Sequence, residues 1–166
     1  SRDIDLIITR KGYRAIKSQL VQLIDESGWK IITYLNSDRL ITYVCAIQTE
    51  NTTELIQWDF FMNTSVFGIL LMDAREFLAK KKFNGFLYYV DIDCQFLDKY
   101  LYNRAVGSVY PEKYKETRNK AEFSPFVEKK LETLYKVKSV SECDVQNSTM
   151  LLLSAICWNL KQPYRL

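Results

Sequence analysis

The chain has 166 residues, of which 48% are hydrophobic and 14% aromatic, and its net charge at pH 7 is only +3. This composition supplies enough apolar side chains for a packed core, so it excludes a disordered chain, and the small charge does not demand a nucleic-acid partner. Histidine is absent. Its absence excludes His-ligated zinc, Ser-His and Cys-His catalysis, and proton transfer by imidazole. A catalyst of this composition relies on carboxylates, Lys, Arg, Tyr or a bound metal.

Strand and helix patterns alternate through the first sixty-odd residues. Strands are predicted over residues 3–9, 29–35, 40–48 and 56–61. Between the first two, residues 13–26 carry apolar side chains at the spacing of an amphipathic helix, and Gly28 is typical of the residue that follows a helix end. The Asn-Ser-Asp-Arg segment after residue 35 indicates a hairpin turn. The first part therefore reads as strand, helix and antiparallel meander.

Helices dominate the second part of the chain. They are predicted over residues 74–81, 94–106, 110–121, 125–136 and 146–160, with a strand over 86–90 and a short strand or buried connector over 67–72. Asp73-Ala74-Arg75-Glu76 has the spacing of a capping box, and Ser124-Pro125 that of an N-cap followed by proline at the first helical position. A sheet followed by helices predicts an α+β fold.

The four cysteines are widely separated and form no CxxC pair; they are Cys45, Cys94, Cys143 and Cys157. We expect reduced and mostly buried thiols rather than disulfides or zinc ligands. The longest apolar stretch, residues 150–158, is too short to span a bilayer, and no signal peptide is visible. We therefore expect a cytoplasmic protein with no membrane partner, and Ser1 as the first residue indicates a chain trimmed from something larger.

Three aspartates have the pattern of a metal site. Asp3 and Asp5 lie one residue apart in a predicted strand, so their side chains point to the same face, roughly 7 Å apart. Asp59 lies in the predicted strand 56–61, on the face opposite its apolar residues. If the two strands are neighbours, the three carboxylates converge, and such a cluster needs a divalent cation such as Mg²⁺. The pattern indicates metal-assisted phosphoryl or nucleotidyl chemistry; the alternative is three solvated residues at a strand edge.

A second copy of the Asp-x-Asp pattern, Asp91-Ile92-Asp93, follows a predicted strand and precedes a helix. That position is typical of a helix cap rather than a metal site. We interpret Asp93 as the N-cap and Asp91 as a solvated loop residue.

Basic residues leave two readings open. Lys80 to Lys82 end a predicted helix, where cations complement the helix dipole, which favours a solvated terminus. Four others either line a phosphate groove on the helical part or form a solvated surface with the glutamates among them; they are Arg104, Lys113, Lys115 and Arg118. Neither reading predicts sequence-specific nucleic-acid binding.

The order of these motifs resembles the nucleotidyltransferase superfamily, whose best-known member is DNA polymerase beta. Asp3-Ile4-Asp5-Leu6 and Trp58-Asp59-Phe60 carry the resemblance, separated by a helix and two strands. Further segments look like bacterial nucleotidyltransferase-like proteins of polysaccharide biosynthesis, some of which are joined to kinase-like domains. These segments are Phe67–Leu70, Asp73–Glu76, Phe83–Phe86, Leu97–Tyr102 and Lys113-Tyr114, so the resemblance covers about residues 2–118.

The resemblance implies a domain organisation. Residues 1–66 would form a nucleotidyltransferase-like core with a mixed sheet, whose N-terminal part is missing from the chain. Residues 67–166 would form a mainly helical extension packed on that core. The resemblance also implies a fused or separate kinase-like domain as a partner.

It also implies a mechanism. Asp3 and Asp5 would hold one or two Mg²⁺ ions that bind a nucleoside triphosphate, while Asp59 would share the second ion and help to deprotonate the acceptor hydroxyl. Contacts to the nucleotide or its phosphates are assigned to Ser1, Arg2, Arg104 and Lys113. The reaction implied is transfer of a nucleotidyl group to a small hydroxylated molecule, such as a sugar or sugar phosphate.

One element of the family pattern is missing from the chain. The family has a Gly-Ser turn about ten residues before the paired aspartates, and this turn binds the triphosphate through backbone N–H groups. Here only Ser1 and Arg2 precede Asp3. This departure leaves two alternatives to a complete enzyme: a catalytically inactive relative that acts as an interaction or regulatory module, and an unrelated α+β binding domain.

Overall fold

The computed structural model describes residues 2–162 and has an α+β fold, as predicted. The chain divides into two compact units, Ser1–Asn63 and Thr64–Leu166. A mixed four-stranded sheet belongs to the first unit, and most of the helices belong to the second. None of the helices in the described part of the chain is both long and apolar enough to cross a membrane.

The first unit contains a single sheet and one helix among its described residues. Its elements are β1 Arg2–Ile7, α1 Arg10–Glu26, β2 Lys30–Asn36, β3 Leu40–Gln48 and β4 Thr53–Phe61. The strand order is β1-β4-β3-β2, with β1 parallel to β4 and the other neighbours antiparallel. The predicted order of strand, helix and meander is confirmed, and each element begins and ends within a few residues of its predicted bounds.

Helix α1 is fixed by signals at both ends. The hydroxyl of Thr9 accepts a hydrogen bond from the N–H of Gly12 and so caps the start of the helix. Gly28, just beyond the end, has φ +81°, a left-handed conformation that glycine adopts without strain. One side of the helix faces the sheet, where Tyr13 and Ile24 are buried.

The core of the first unit lies between α1 and one face of the sheet. Its buried members are Tyr13, Ile24, Ile41, Tyr43, Cys45, Phe60 and Met62. The hydroxyl groups of Tyr13 and Tyr43 share a hydrogen bond of 2.5 Å, and burial raises the pKa of both phenols. Because α1 is the only helix described in this unit, the opposite face of the sheet is covered by no helix of the unit.

The second unit has two short hairpins and six helices among its described residues. Its strands are β5 Asn63–Val66, β6 Ile69–Asp73, β7 Lys82–Phe83 and β8 Tyr88–Tyr89. Its helices are α2 Ala74–Ala79, α3 Ile92–Ala105, α4 Lys115–Ala121, α5 Pro125–Tyr135, α6 Val140–Val145 and α7 Ser148–Leu160. Helix α3 supplies the centre of the core, with Phe96, Leu97, Tyr100 and Leu101 fully buried.

Several predicted bounds in this unit are wrong. The helix predicted over 110–121 begins only at Lys115, after a 3₁₀ turn over Glu112–Tyr114, because Pro111 has an extended backbone. The segment 67–72, predicted as a short strand or a buried connector, begins with a turn in which Phe67 and Gly68 have positive φ, and strand β6 starts only at Ile69. The strand predicted over 86–90 has only two paired residues. The capping box at Asp73 and Glu76 is confirmed.

Candidate functional site

The aspartates of the sheet lie on neighbouring strands. In the parallel pairing of β1 with β4, Asp5 stands opposite Asp59, and Asp3 stands opposite Gln57. Residues opposite each other on adjacent strands point to the same face, and adjacent strands lie about 4.8 Å apart. The condition that the two strands are neighbours is met, and Asp3, Asp5 and Asp59 share one face.

On this face of the sheet, no helix described in the first unit packs. Phe60 follows Asp59 directly and is buried in the core beneath α1, so alternation along the strand directs Asp59 to the opposite side. Asp3 and Asp5 are exposed, whereas Asp59 is only 8% exposed. The face therefore presents two exposed carboxylates beside one that is enclosed by its neighbours.

Two polar neighbours hold the Asp59 carboxylate. The hydroxyl of Thr42, opposite it on β3, donates to Oδ1 at 2.5 Å, and the amide of Gln57 donates to Oδ2 at 2.7 Å. Both donors are neutral and both lie on the aspartate face. Sequence reasoning placed Gln57 on this face but missed Thr42, because the only signal for Thr42 is the β3–β4 register.

The position of three carboxylates on one face of the sheet does not by itself form a metal site. Among residues 2–162, no group of three or more acidic or cysteine side chains is arranged to hold a metal ion. The carboxylate of Asp59 is directed at Thr42 and Gln57. The metal ligation assigned to Asp3, Asp5 and Asp59 therefore stays a prediction. The register of β1 against β4 is consistent with it.

The residues assigned to nucleotide binding lie in different parts of the chain. Ser1 lies outside the described residues, and Arg2 is exposed at the start of β1. In the second unit, Arg104 donates to the carbonyl oxygens of Cys143 and Gln146, at 3.1 and 2.6 Å. Arg104 thus ties α3 to the end of α6.

The other basic residues of the helical part also have local contacts. The ammonium group of Lys113 lies 5.0 Å from the ring centre of Tyr114. Arg118 forms ion pairs with Glu122 and Asp144, and Lys115 forms one with Glu112. These contacts favour the reading of these residues as structural or solvated charges over the phosphate groove.

The second Asp-x-Asp copy is built differently from the prediction. Asp91, not Asp93, is the N-cap of α3, and its carboxylate accepts the N–H of Asp93 at 2.9 Å. Asp91 is only 4% exposed and pairs with Lys82 at 2.7 Å, so its assignment as a solvated loop residue is wrong. Lys80 is half-buried and pairs with Asp93 at 2.6 Å, so a fully solvated lysine run is wrong as well. The cause is that α3 begins at Ile92, two residues earlier than predicted, so that its N-cap is Asp91.

These ion pairs predict a dependence of stability on pH. Burial alone raises the pKa of Asp91, but the hydrogen bonds from Lys82 and from the N–H of Asp93, together with the Lys80 charge, lower that pKa below its ordinary value of 3.8. A pKa lowered by folding means that the charged carboxylate stabilises the fold above pH 3.8, and that this stabilisation is lost as the pH falls through the lowered pKa.

We expect Asp91→Asn to lower the free energy of unfolding of the second unit by about 2 kcal/mol at pH 7, since asparagine keeps the cap but loses the charge. The variant should also lose less stability than the wild type between pH 4 and pH 2. Urea unfolding across that range measures both effects. Glu132→Gln, an exposed change on α5, is the control; an unchanged acid slope in Asp91→Asn would contradict the assignment.

The cysteines add no reactive group to the core. All four are free in the structure, with Cys45, Cys94 and Cys143 buried and Cys157 exposed, which confirms that most of them are buried. Burial raises the pKa of the Cys94 thiol to about 12 and raises those of Cys45 and Cys143 in the same direction. Thiols with raised pKa values are poor nucleophiles at neutral pH.

The aspartate face is thus the feature of the described chain with the clearest chemical meaning. It combines three carboxylates, one of them oriented by a hydroxyl and an amide, on a side of the sheet that α1 leaves uncovered. Known proteins add no relative from which a function transfers: no family model matches this sequence, and neither a curated protein nor a solved structure matches it.

Proposed function

We propose that this protein has a nucleotidyltransferase-like core that binds Mg²⁺ and a nucleoside triphosphate and transfers a nucleotidyl group to a small hydroxylated acceptor, such as a sugar or sugar phosphate. The observation that supports the proposal best is the position of Asp5 opposite Asp59 in the β1–β4 register, with Asp3 on the same face. The motif resemblance supplies the reaction and the class of substrate.

The donor set suits magnesium. Carboxylate oxygens are hard ligands of the kind that Mg²⁺ prefers, and like charges opposite each other on a sheet repel unless they are neutralised. Asp3 and Asp5 are exposed and would hold the ion, and Asp59 would add an oxygen from the neighbouring strand. When bound, the ion would neutralise charge on the triphosphate and on the leaving pyrophosphate.

The role of Asp59 follows from its surroundings. The hydrogen bonds from Thr42 and Gln57 fix the carboxylate without adding charge. Each carboxylate oxygen has a second lone pair, so both oxygens keep capacity for one more partner. Asp59 would use that capacity to accept the proton of the acceptor hydroxyl, and the oriented carboxylate would align that hydroxyl for attack.

A second candidate is a catalytically inactive relative that serves as an interaction or regulatory module. The low exposure of Asp59 favours it, because a carboxylate enclosed by Thr42 and Gln57 has to open toward an ion before it binds one. The two candidates differ in a measurable way, since only the first requires nucleotide binding that depends on both Mg²⁺ and the aspartates.

We expect calorimetric titration of the full chain with ATP or CTP to show binding that requires Mg²⁺ and that Asp5→Asn weakens at least about tenfold, because loss of even an outer-shell partner of a metal ligand costs about that much. Asp38→Asn removes a fully exposed carboxylate from the same unit and should leave the affinity unchanged. Binding that Asp5→Asn leaves unaffected would place the nucleotide elsewhere. A folded wild-type protein without any binding would support the inactive module.

A further inference from the structure

A small hairpin in the second unit exposes most of its apolar surface. Strands β7 and β8 pair antiparallel, with Lys82 opposite Tyr89 and Phe83 opposite Tyr88. We call residues 82–89 the aromatic hairpin. At its tip, the side chain of Asn84 accepts hydrogen bonds from the N–H groups of Phe86 and Leu87, at 3.0 and 2.9 Å. The tip is therefore held in one conformation by its own backbone contacts.

The exposure of this hairpin is large and contiguous. Phe86 is 89% exposed at the tip, and the exposed fractions of Phe83, Leu87 and Tyr88 lie between 48% and 63%. The rings of Phe83 and Tyr88 pack on each other, with centroids 5.0 Å apart. Isolated exposed apolar residues are ordinary, but a contiguous group on a projecting hairpin indicates a contact surface.

The side chains are ordered by polarity along the hairpin. Phe86 and Leu87 occupy the tip, and the Phe83–Tyr88 pair follows. At the base, Lys82 stands opposite Tyr89, and the ammonium group of Lys81 lies 4.6 Å from the Tyr88 ring centre. Side chains distribute in the same order across the surface layer of a phospholipid bilayer. Apolar rings lie deepest, tyrosine lies nearer the headgroups, and lysine lies outermost.

Charge at the base is mostly compensated within the unit. Lys80 and Lys82 form ion pairs with Asp91 and Asp93, so the five charged residues at positions 80, 81, 82, 91 and 93 leave a surplus of about one positive charge. Insertion of the apolar tip should therefore contribute more to binding than attraction to anionic lipid. The graded order of side chains matches the polarity gradient of a bilayer surface, and this match favours a bilayer over a protein partner.

We propose that the aromatic hairpin docks on the surface of a phospholipid membrane, with Phe86 and Leu87 entering the boundary between headgroups and acyl chains and Lys81 at the level of the phosphates. This contact is peripheral. It revises the expectation of no membrane partner, which rested only on the absence of a stretch long enough to span a bilayer. It does not depend on the proposed nucleotidyl transfer.

Flotation of the full chain with phosphatidylcholine vesicles, with and without phosphatidylglycerol, tests the proposal. We expect the wild type to float with both kinds of vesicle and Phe86→Ser to lower the partition coefficient at least about tenfold, the effect of losing one buried phenylalanine side chain. Lys81→Gln should lower it about fivefold on the anionic vesicles only. Phe123→Ser is the matched control, because Phe123 is 80% exposed in the same unit but lies outside residues 82–89.

Circular dichroism of each variant verifies that it is folded before its flotation is compared. Failure of the folded wild type to float would overturn the proposal, as would equal losses in Phe86→Ser and Phe123→Ser. If the wild type stays in solution and Phe86→Ser instead abolishes a stable association with another protein, the hairpin is a protein-docking surface and the membrane proposal is wrong.

Discussion

Replacing Phe60 by alanine is expected to unfold the unit that carries the three aspartates. Phe60 is 3% exposed, and its ring lies 5.9 Å from that of Tyr13 and 6.1 Å from that of Tyr43. Truncation of a buried phenylalanine costs about 3–5 kcal/mol through lost burial and the cavity left behind. A unit this small has a total stability near the lower end of the usual range of about 5–15 kcal/mol, so the loss removes most of it.

Amide hydrogen exchange in the β3–β4 ladder measures this effect for the first unit separately. The control is Asp59→Asn, one position along the same strand but on the other face. It preserves the size of the side chain and removes the charge opposite Asp5, so the ladder should stay protected. Equal protection in Phe60→Ala and the wild type would show that the sheet is not held by this core.

The second large effect is expected at the buried ion pair of the helical unit. The carboxylate of Glu76 lies 2.5 Å from the ammonium group of Lys130, whose side chain is only 9% exposed. Its other oxygen accepts the N–H of Asp73 and completes the capping box of α2. Glu76→Leu would leave the buried ammonium group of Lys130 without its partner and would remove one hydrogen bond of the capping box. We expect a loss of about 3 kcal/mol in the free energy of unfolding, the lower end of the range for buried pairs, because Glu76 is partly exposed.

The same argument predicts an asymmetry that distinguishes charge from packing. Lys130→Met removes the buried charge itself and should change the unfolding free energy by less than about 1 kcal/mol. The double variant Glu76→Leu/Lys130→Met should therefore recover most of the stability lost in Glu76→Leu alone. Urea unfolding of the four proteins gives the coupling energy. Additive losses, with no recovery in the double variant, would contradict the assignment of a stranded charge.

The strands that carry the aspartates, and the helix between the first two strands, could be predicted from the sequence. Alternation in the Asp59 strand separates Phe60 from the aspartate, and the signals at Thr9 and Gly28 bound the helix between β1 and β2. The pairing of Asp5 with Asp59, by contrast, depends on the register of β1 against β4. What the pattern does not contain is register, since sliding a strand along its neighbour leaves its own alternation unchanged. For that reason Thr42 was missed.

The misreading of the second Asp-x-Asp copy has a different cause. Helix starts are uncertain by a residue or two from pattern alone, and either Asp91 or Asp93 satisfies the preference for a capping carboxylate. The decision is made by tertiary contacts to Lys82 and Lys80, which become neighbours only when the chain has folded. Helix α6 was missed because a six-residue helix contains too few turns to show an apolar stripe.

Locating a bound metal ion by NMR is the most direct test of the role of the aspartates. Mn²⁺ takes the same oxygen ligands as Mg²⁺ and broadens NMR signals near its binding site. In a titration of the ¹⁵N-labelled protein with Mn²⁺, we expect the amide signals around Asp5 and Asp59 to broaden first, and those around the Asp91-Ile92-Asp93 copy to persist. Broadening that begins at Asp91 and Asp93, or that spares Asp5 and Asp59 throughout, would contradict a metal site on this face of the sheet.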